Sequence, residues 1–297
     1  MKIVVLTLAN DEVCVCGRCT GKGNSLTNPA LDGGGRSYKP MIEAIRNTWA
    51  YNPPEGIKTY YIYGHRKGIE FPKDSKYRET EETYWPNNVR KDVTSKRYPF
   101  AIDDCIYSDT PEGRENIYYK TIDGFEWLLE NEDFDYLVRC CAGTYLDLKI
   151  LKQYLEKIGI KDNIYSGSPG IYPNSHNPTQ PPQIKFASGS AFIASRNLIE
   201  DLVSRRNTIE HVRSPHAEKC IGDDVTFGKH FIHDLGVELI PFWKYECRSI
   251  HEVTDKVKDY MQCYFLHSIN PEMLYAVHRA KGLASKKFYR MSPIVTS

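Results

Sequence analysis

The sequence predicts an α/β fold with a mainly parallel central sheet, and two observations support this prediction. The chain begins with KIVVLTLA, a β-branched apolar run of strand length that is typical of a buried parallel strand. Strand-like and helix-like segments then alternate through the first two-thirds of the chain, as they do in βαβ units. Neither an internal repeat nor a linker interrupts the 297 residues, of which 41% are hydrophobic. We therefore expect one domain over residues 1–297.

The individual elements follow from the spacing of apolar residues. Helices are expected where apolar residues recur three and four apart, which occurs in SYKPMIEAIRNTWA, GRENIYYKTIDGFEWLLEN, LDLKILKQYLEKIG and RNLIEDLVSRR. Further strands are expected at the short β-rich runs IKTYYIYG, FDYLVRC, NIYSGS and VELIPFW. The run IKFASGSAFIAS is interpreted as a strand pair, or as a strand and a turn, around small residues.

The remaining segments are expected to be irregular. Residues 10–37 are rich in Gly, Asn and Cys, which predicts a flexible loop. Residues 66–98 are charged and polar, so loops and short elements are expected there. A proline-rich loop follows at PGIYPNSHNPTQPPQ. We interpret residues 270–297 as a C-terminal extension of the domain.

The charge balance argues against a nucleic-acid-binding protein. The chain has 39 basic and 38 acidic side chains, a net charge of +1, and no long block of one sign. A phosphate-tracking surface needs a clear excess of basic residues. The 21 tyrosines instead suit a polar cleft, because each ring offers an apolar face and a hydroxyl.

Cysteine usage and hydropathy predict a soluble cytoplasmic protein. Nine cysteines are an odd number, and Cys140 and Cys141 are adjacent, which favours reduced thiols over a secreted disulfide framework. The N-terminal run is marginal in length for a signal peptide and lacks a convincing cleavage site. No segment approaches the roughly 18–20 apolar residues that a membrane helix needs, so we expect no membrane span.

Three local patterns each allow a functional and a structural interpretation. Cys14, Cys16 and Cys19 could bind zinc, but no fourth ligand is evident and free thiols are favoured. His230 and His233 lack the HExxH pattern of zinc hydrolases and are expected to be surface or packing residues. The small residues of SGSAF, at 188–192, fit a β-bulge or a tight strand crossing better than a close ligand approach.

The segment GDDV places Asp223 and Asp224 directly before a helical run. An aspartate at this position can cap the helix by accepting hydrogen bonds from its first free N–H groups. Alternatively, one carboxylate is held by the helix start and the other acts as a general base. Taken alone, the pattern favours the cap.

Six blocks of sequence, taken in order, resemble a known enzyme family. They are AIRNTW, KTIDGFEWLLENEDFDYLVRCCAGTYLDLKIL, NIYSG, FASGSAFIAS, GDDVTFG and FLHS. Together they resemble the β-1,3-glycosyltransferase superfamily, which includes β-1,3-galactosyltransferases and fringe enzymes, over about residues 40–270. The resemblance implies a GT-A fold, a Rossmann-like sheet that holds a nucleotide-sugar at its strand ends.

The resemblance also implies a role for individual residues. Asp224 falls on the family's catalytic base, Asp223 would cap or orient, and His267 of FLHS would help to bind a metal. Donor-binding residues would be Thr7, Arg46, Arg139, Cys141, Ala142 and Gly143. Acceptor- or sugar-binding residues would be Ser188, Gly189, Ser190 and Tyr172.

The chain departs from the family at its metal-binding triplet. The DDD triplet that binds Mn²⁺ aligns with Cys141, Ala142 and Gly143, so Mn²⁺ is doubtful and no cofactor is certain. A basic side chain could replace the metal as an electrophile; the candidates are Arg139, Arg36 and Lys185. Alternatively, His267 and Asp147 alone hold the metal, or the protein is catalytically degenerate.

The leading functional prediction is an inverting glycosyltransferase with a nucleotide-sugar donor, in particular a UDP-sugar. Its acceptor would be a hydroxyl of a glycan or glycoprotein. Because eukaryotic members of the superfamily are membrane-anchored and this chain shows no anchor, it resembles a cytosolic enzyme of the kind that a large virus or a bacterium encodes. The alternative is a carbohydrate- or nucleotide-sugar-binding protein that kept the fold and lost catalysis.

Overall fold

The computed structural model describes most of the chain. The described residues are 1–10, 13–14, 36–65, 68–83, 91–112, 116–172, 183–209, 212, 222–265 and 270–283. Most of the expected loop at 10–37, together with Cys16, Cys19 and His267, therefore lies outside them. The chain divides into two compact units. The first comprises Met1–Glu12, Glu55–Cys141 and Gln153–Trp243; the second comprises Val13–Pro54, Ala142–Lys152 and Lys244–Ser297.

The described residues form fifteen strands and six α-helices. The strands are β1 Ile3–Leu8, β2 Val13–Cys14, β3 Arg36–Ser37, β4 Ile57–His65, β5 Tyr77–Thr83, β6 Lys91–Arg97, β7 Phe100–Ile102, β8 Cys105–Pro111, β9 Tyr136–Cys141, β10 Thr144–Leu146, β11 Tyr165–Tyr172, β12 Ile184–Ser195, β13 Leu239–Pro241, β14 Tyr245–Cys247 and β15 Gln262–Phe265. The α-helices are α1 Lys39–Asn47, α2 Ile117–Asn131, α3 Leu148–Ile158, α4 Arg196–Ser204, α5 Asp223–Gly228 and α6 Pro271–Ala280. A π-helix, Lys229–Asp234, continues α5, and two 3₁₀ turns lie at Ile250–Glu252 and Asp255–Asp259.

An eight-stranded sheet in the first unit confirms the predicted α/β class. Its strand order is β13-β11-β12-β9-β1-β4-β8-β7. The pairs β9–β1, β1–β4, β4–β8 and β11–β13 are parallel, whereas β12 runs antiparallel to both of its neighbours. Every residue of β1 is buried, as expected for a central parallel strand.

The order of the central strands produces a switch point. Along the chain, β1 is followed outward by β4 and β8 on one side, and the sheet then resumes with β9 on the other side of β1. In open α/β sheets, a crevice forms where the strand order reverses in this way, at the carboxyl ends of the strands. Those ends are Leu8 of β1 and Cys141 of β9, which pair with each other.

The long helix α2 packs against this sheet through its apolar stripe. Ile122, Phe125 and Leu128 are fully buried and belong to the main core cluster with residues of β1, β4 and β9. At Gly124 the helix lies so close to the sheet that an added Cβ would be 2.9 Å from Leu6 Cδ2. The predicted amphipathic helix is therefore present, and its buried surface extends over the run from Tyr118 to Phe125 together with Leu128.

The run IKFASGSAFIAS forms one continuous strand, β12, and not the strand pair or strand and turn expected from its small residues. Its pairing with β11 shifts between Gly167, which pairs with Phe192, and Pro169, which pairs with Ala187. Residues 188–191 thus form a β-bulge opposite Ser168. The bulge interpretation of SGSAF is confirmed, and the small residues interrupt the ladder without ending the strand.

Residues 77–97 include an antiparallel hairpin of β5 and β6, a longer element than the polar sequence suggested. A buried charge cluster supports this hairpin. Arg78 pairs with Asp123 and Glu126 of α2, and Arg206 Nη2 lies 2.7 Å from Asp123 Oδ1. These ion pairs attach the hairpin to α2, whereas an ordinary strand is held to the core by alternating apolar side chains.

The second unit has its own small sheet, β10-β15-β14. Helices α1 and α6 belong to it, and Asn47 Nδ2 donates to Tyr275 Oη at 3.2 Å. Helix α6 buries Met273, Leu274 and Val277, so the expected C-terminal extension begins with a packed helix.

Within the described residues of the chain, no helix combines the length and apolar character that crossing a membrane requires.

Candidate functional site

The GDDV segment forms the first turn of α5, directly beside the bulge of β12. Its two aspartates differ in exposure, since Asp223 is buried and Asp224 is half-buried. Gly222 is the N-cap, and among the described residues no side chain caps this helix. The expectation that Asp223 caps the helix is therefore wrong, because its carboxylate points to other partners.

Asp223 is held by a buried arginine from the sheet. Arg139 of β9 donates through Nη2 to both carboxylate oxygens of Asp223, at 2.6 and 2.7 Å. Thr121 of α2 donates from Oγ1 to Asp223 Oδ2 at 3.0 Å. Both charged side chains are almost fully buried, at 3% and 2% exposed. Asp223 thus neutralises the one charge that β9 carries into the core.

Asp224 faces the bulge. Its Oδ2 accepts from Gly189 N–H at 2.6 Å, and its Oδ1 accepts from Val225 N–H at 3.0 Å. A Cβ at Gly189 would lie 2.9 Å from Asp224 Oδ2, and a Cβ at Gly222 would lie 2.3 Å from Asp224 Oδ1. The two glycines leave the space in which this carboxylate sits.

The electrostatic environment raises the pKa of the Asp224 carboxyl. Burial raises the pKa of the Asp224 carboxyl, and the neighbouring charge of Asp223 raises it further, against the opposing effects of Arg139 and the two N–H donors. Burial alone would lower the pKa of Arg139, but the carboxylates of Asp223 and Asp224 raise it, so the guanidinium stays charged. A carboxylate with a raised pKa next to a stable ion pair is suited to accept a proton.

This site lies near the switch point of the sheet. Ala191, which follows the bulge, pairs with Cys140, the penultimate residue of β9. Asp224 is therefore connected through Gly189 to the carboxyl end of β9, where open α/β sheets bind ligands.

The expected donor-binding residues occupy several different environments. Thr7 is fully buried, and its hydroxyl lies 3.3 Å from Cys140 Sγ within the sheet, so it presents no surface to a donor. Cys141 ends β9, and Ala142 and Gly143 lead into β10. Arg46 lies on α1 in the second unit. Arg139 is committed to Asp223, which leaves it poorly placed to serve as a free electrophile.

The expected acceptor-binding residues divide in a similar way. Ser188, Gly189 and Ser190 form the bulge, where Ser188 Oγ lies 3.1 Å from Ser190 Oγ. Gly189 contacts Asp224 directly, as described above. Tyr172 is half-buried at the end of β11, where it pairs with Ile184 at the far end of the hairpin from the bulge. The structure thus brings the bulge and Asp224 together but not Tyr172.

The residues at the triplet position do not fit a hard divalent cation. Cys141, Ala142 and Gly143 offer no carboxylate, whereas Mn²⁺ and Mg²⁺ prefer oxygen ligands. Among the described residues, no group of three or more His, Cys, Asp or Glu side chains is arranged to hold a metal ion. In the alternative that pairs Asp147 with His267, Asp147 Oδ2 lies 3.1 Å from Lys281 Nζ and its Oδ1 accepts from Lys149 and Ile150 N–H, while His267 lies outside the described residues.

His230 is a buried packing residue and His233 is an exposed surface residue, in line with the two alternatives that the sequence suggested. Nε2 of the buried His230 lies 2.5 Å from Asp201 Oδ2, and its Nδ1 lies 3.4 Å from Asp234 Oδ2. His233 Nε2 accepts from Lys185 N–H at 3.2 Å. The π-helix that carries them is therefore tied to α4 and to the start of β12.

Sequence reasoning missed the role of Lys120 and Thr121 in α2. Lys120 Nζ donates to Glu112 Oε2 at 2.6 Å and to Ala9 O at 2.9 Å, while Glu112 Oε1 accepts from Gly64 N–H at 2.6 Å. This bridge ties the ends of β1 and β4 to α2, and the next residue supports Asp223. In the sequence, the signal for these contacts was the position of two polar residues, Lys120 and Thr121, among the apolar residues of the helix.

A separate cavity of about 300 Å³ lies elsewhere in the first unit. It is lined by Pro72, Asp74, Ser75, Lys76, Tyr98, Pro99, Phe100 and Glu130. These residues differ from those that hold Asp223 and Asp224. The cavity is therefore not the site defined by the carboxylate pair.

Comparisons with known proteins give weak structural likenesses. No protein-family model matches the chain, and no curated protein matches it. It is similar to a glycosyltransferase involved in glycosylation of the major capsid of PBCV-1 (9% identity, TM-score 0.39, covering 94% of this chain and 100% of that one). It is also similar to HddC from Yersinia pseudotuberculosis, with 16% identity and a TM-score of 0.34 over 82% of this chain and 90% of that one. A third similar structure is the galactosyltransferase LgtC in complex with donor and acceptor sugar analogues, with 7% identity and a TM-score of 0.40 over 97% of this chain and 98% of that one. Because every TM-score is below 0.5, these likenesses define neither a family nor an activity.

Proposed function

We propose that this protein is a glycosyltransferase of the GT-A type, which transfers a sugar with inversion from a nucleotide-sugar, in particular a UDP-sugar, to a hydroxyl of a glycan or glycoprotein. The observation that carries the proposal is the half-buried carboxylate of Asp224, held by two N–H donors beside the carboxyl end of β9. The sequence resemblance places the family's base at this same residue.

In the proposed reaction, Asp224 acts on the acceptor. Its carboxylate takes the proton of an acceptor hydroxyl while that oxygen bonds to the anomeric carbon of the donor. The bond from the anomeric carbon to the diphosphate oxygen breaks, and its electron pair leaves with the nucleoside diphosphate. Attack opposite the leaving group inverts the anomeric configuration. Because the pKa of Asp224 is raised, transfer should increase as the pH rises through that pKa.

The charge on the leaving diphosphate needs a different partner from the family's metal. The triplet position offers no hard-cation ligands, and Arg139 is held by Asp223. Of the basic side chains suggested by the sequence, Lys185 is exposed on β12 close to α5, where its carbonyl oxygen would lie 2.8 Å from a Cβ at Gly228. Lys185 lies beside Ile184, the partner of Tyr172, and next to the end of α5 that is away from Asp224, so we assign it no contact with the diphosphate. The Arg36 side chain lies outside those that the structure describes.

The test combines binding with transfer. Thermal unfolding is measured with UDP, GDP and their sugars, in EDTA and in Mn²⁺, and sugar transfer to a panel of simple glycans is followed by nucleotide release. Asp224→Asn should retain donor binding and lose transfer by about 10²–10⁴-fold, the usual contribution of a general base. NMR of the product should show the inverted anomer.

Asp234→Asn is the matched control, since it makes the same change in the exposed carboxylate at the end of the π-helix. It should leave transfer unchanged. If no nucleotide or nucleotide-sugar shifts the unfolding temperature, the transferase proposal is wrong. Transfer that persists in Asp224→Asn would reject Asp224 as the base.

The second candidate is a nucleotide-sugar- or carbohydrate-binding protein without catalysis. It is favoured by the commitment of Arg139 to Asp223 and by the missing carboxylates at Cys141, Ala142 and Gly143, which together remove two sources of charge neutralisation. Donor binding that is equal in the wild type and in Asp224→Asn, with no transfer in either, would support this candidate.

A further inference from the structure

Arg139 contacts two different parts of the site with one guanidinium. Its Nη2 makes the paired contacts with Asp223, and its Nη1 donates to the carbonyl oxygen of Gly189 in the bulge. The side chain is 3% exposed, so both contacts are shielded from water. The planar fork of arginine fixes the angle between such contacts, which the single ammonium of lysine does not.

Gly189 is held from its other side by Asp224. The Gly189 carbonyl accepts from Arg139, and the Gly189 N–H donates to Asp224 Oδ2. A Cβ at this residue would lie 2.9 Å from Arg139 Nη1 and 2.9 Å from Asp224 Oδ2, so the glycine is packed between the two side chains. Since the β-ladder is interrupted at residues 188–191, these contacts help to determine where the bulge lies.

We propose that Arg139 is a positioning residue, which holds Gly189 of the bulge and thereby fixes the carboxylate of Asp224 in its working orientation. The inference rests on the proposed role of Asp224 as the base. It assigns Arg139 no contact with donor or acceptor and replaces the donor-binding role that the sequence suggested. Asp223 then serves to anchor the guanidinium.

Among the described residues, the charged and titratable groups that face Asp224 come from three elements. Asp223 precedes it in α5, Arg139 lies in β9, and Tyr165 in β11 contributes a phenol that interacts electrostatically with it. Arg139→Lys retains the positive charge opposite Asp223 but removes the fork. This substitution therefore separates positioning from charge.

The Gly189 amide reports the contact without any substrate. The dipeptide Ser–Gly occurs twice in the chain, at Ser166–Gly167 and Ser188–Gly189. Labelling with ¹³C-carbonyl serine and ¹⁵N-glycine thus selects two amides for NMR. In the wild type, the Gly189 amide shift should follow the titration of Asp224, and Asp224→Asn should abolish this dependence.

In Arg139→Lys, the pH-dependent change of the Gly189 amide should fall at least about twofold, because a hydrogen bond weakens steeply when its geometry is lost. Because Gly167 pairs with Phe192 at the edge of the bulge, its amide can also shift, and an unchanged circular dichroism spectrum shows that the fold is intact. If transfer is established, kcat should fall about 10–100-fold with little change in donor KM, since a small displacement of a catalytic group is costly. An unchanged Gly189 titration would overturn the proposal.

A second variant covers the case in which Arg139→Lys fails to fold. The double substitution Arg139→Met with Asp223→Leu removes both buried charges together and leaves neither unpaired. The Gly189 amide should again lose its coupling to Asp224, and retention of the coupling would reject the positioning role. Because these measurements use the free protein, they are independent of whether the transferase proposal is correct.

Discussion

Asp223 and Asp224 are adjacent residues of one helical turn, but their partners differ in charge. Asp223 has both oxygens within 2.7 Å of a buried guanidinium nitrogen, whereas Asp224 accepts from two neutral N–H groups and lies next to the charge of Asp223. The carboxylate of Asp223 therefore has a buried counter-charge in Arg139. The ionised form of Asp224 is less favourable, because burial and the charge of Asp223 both raise the pKa of its carboxyl.

This difference predicts unequal effects of the same substitution on the free energy of unfolding. Asp223→Asn should lower the free energy of unfolding by about 3–5 kcal/mol at neutral pH, because it leaves Arg139 buried without its counter-charge. Asp224→Asn should change it by less than about 1 kcal/mol or increase it, because it removes an unfavourable charge while it loses one of two hydrogen bonds. Urea unfolding followed by circular dichroism measures both values.

The two variants control for each other, since they make the same chemical change in neighbouring residues. Equal losses of stability would show that Asp223 and Asp224 are both structural ion-pair partners. A larger loss for Asp224→Asn would contradict the assignment of the two carboxylates.

At the scale of elements, α5 is positioned by close packing on β12. A Cβ at Gly228 would lie 2.2 Å from Phe186 Cβ and 2.6 Å from Phe186 Cα. The helix therefore approaches the strand at the end away from Asp224 through a residue without a side chain. Gly124 plays a comparable role in α2, but there the nearest atom is the terminal methyl of Leu6, at 2.9 Å.

Alanine at these two glycines should therefore have unequal effects. Gly228→Ala should destabilise the protein by about 2–4 kcal/mol, because backbone atoms of β12 have to move. Gly124→Ala should lie within about 1 kcal/mol of zero, because the Leu6 methyl can rotate away and alanine gains up to about 1 kcal/mol of helix propensity.

Thermal unfolding shows which of the two variants is less stable. The contact of α5 with β12 also allows a second measurement, on the Gly189 amide. If the packing at Gly228 positions Asp224, Gly228→Ala should also weaken the pH dependence of the Gly189 amide, and Gly124→Ala should not. A Gly228→Ala protein as stable as Gly124→Ala would show that the helix can shift freely on the strand.

The whole molecule shows which features could be predicted from sequence. Apolar runs such as that of β1 predicted the sheet, because a buried parallel strand imposes its composition on every residue. The hairpin of β5 and β6 was not identified, because ion pairs of Arg78 with distant acidic residues replace apolar alternation there. Asp223 and Arg139 are 84 positions apart in the sequence, so the local spacing of residues does not predict their contact.

The buried charge of Asp123 leads us to expect a specific contribution to the acid sensitivity of the first unit. Asp123 is 1% exposed and has contacts with Arg206, Arg78, Ser108 and Thr110 Oγ1. Burial alone would raise the pKa of Asp123, but the charges of Arg206 and Arg78 and the bond from Ser108 hold it below its usual range. Its stabilising contribution is therefore present above the unfolded pKa of about 3.9 and is lost as the pH falls through the folded pKa.

Asp123→Asn should consequently reduce stability at neutral pH by about 3–5 kcal/mol, since it leaves two buried arginines with less counter-charge. It should also flatten the loss of stability in acid, because the residue that titrates is gone. Urea midpoints measured from about pH 3 to 7 test both effects. Asp133→Asn is the control, because this exposed carboxylate pairs with Lys2 at the surface and should change neither value appreciably. An acid limb of Asp123→Asn parallel to that of the wild type would show that other carboxylates control acid unfolding.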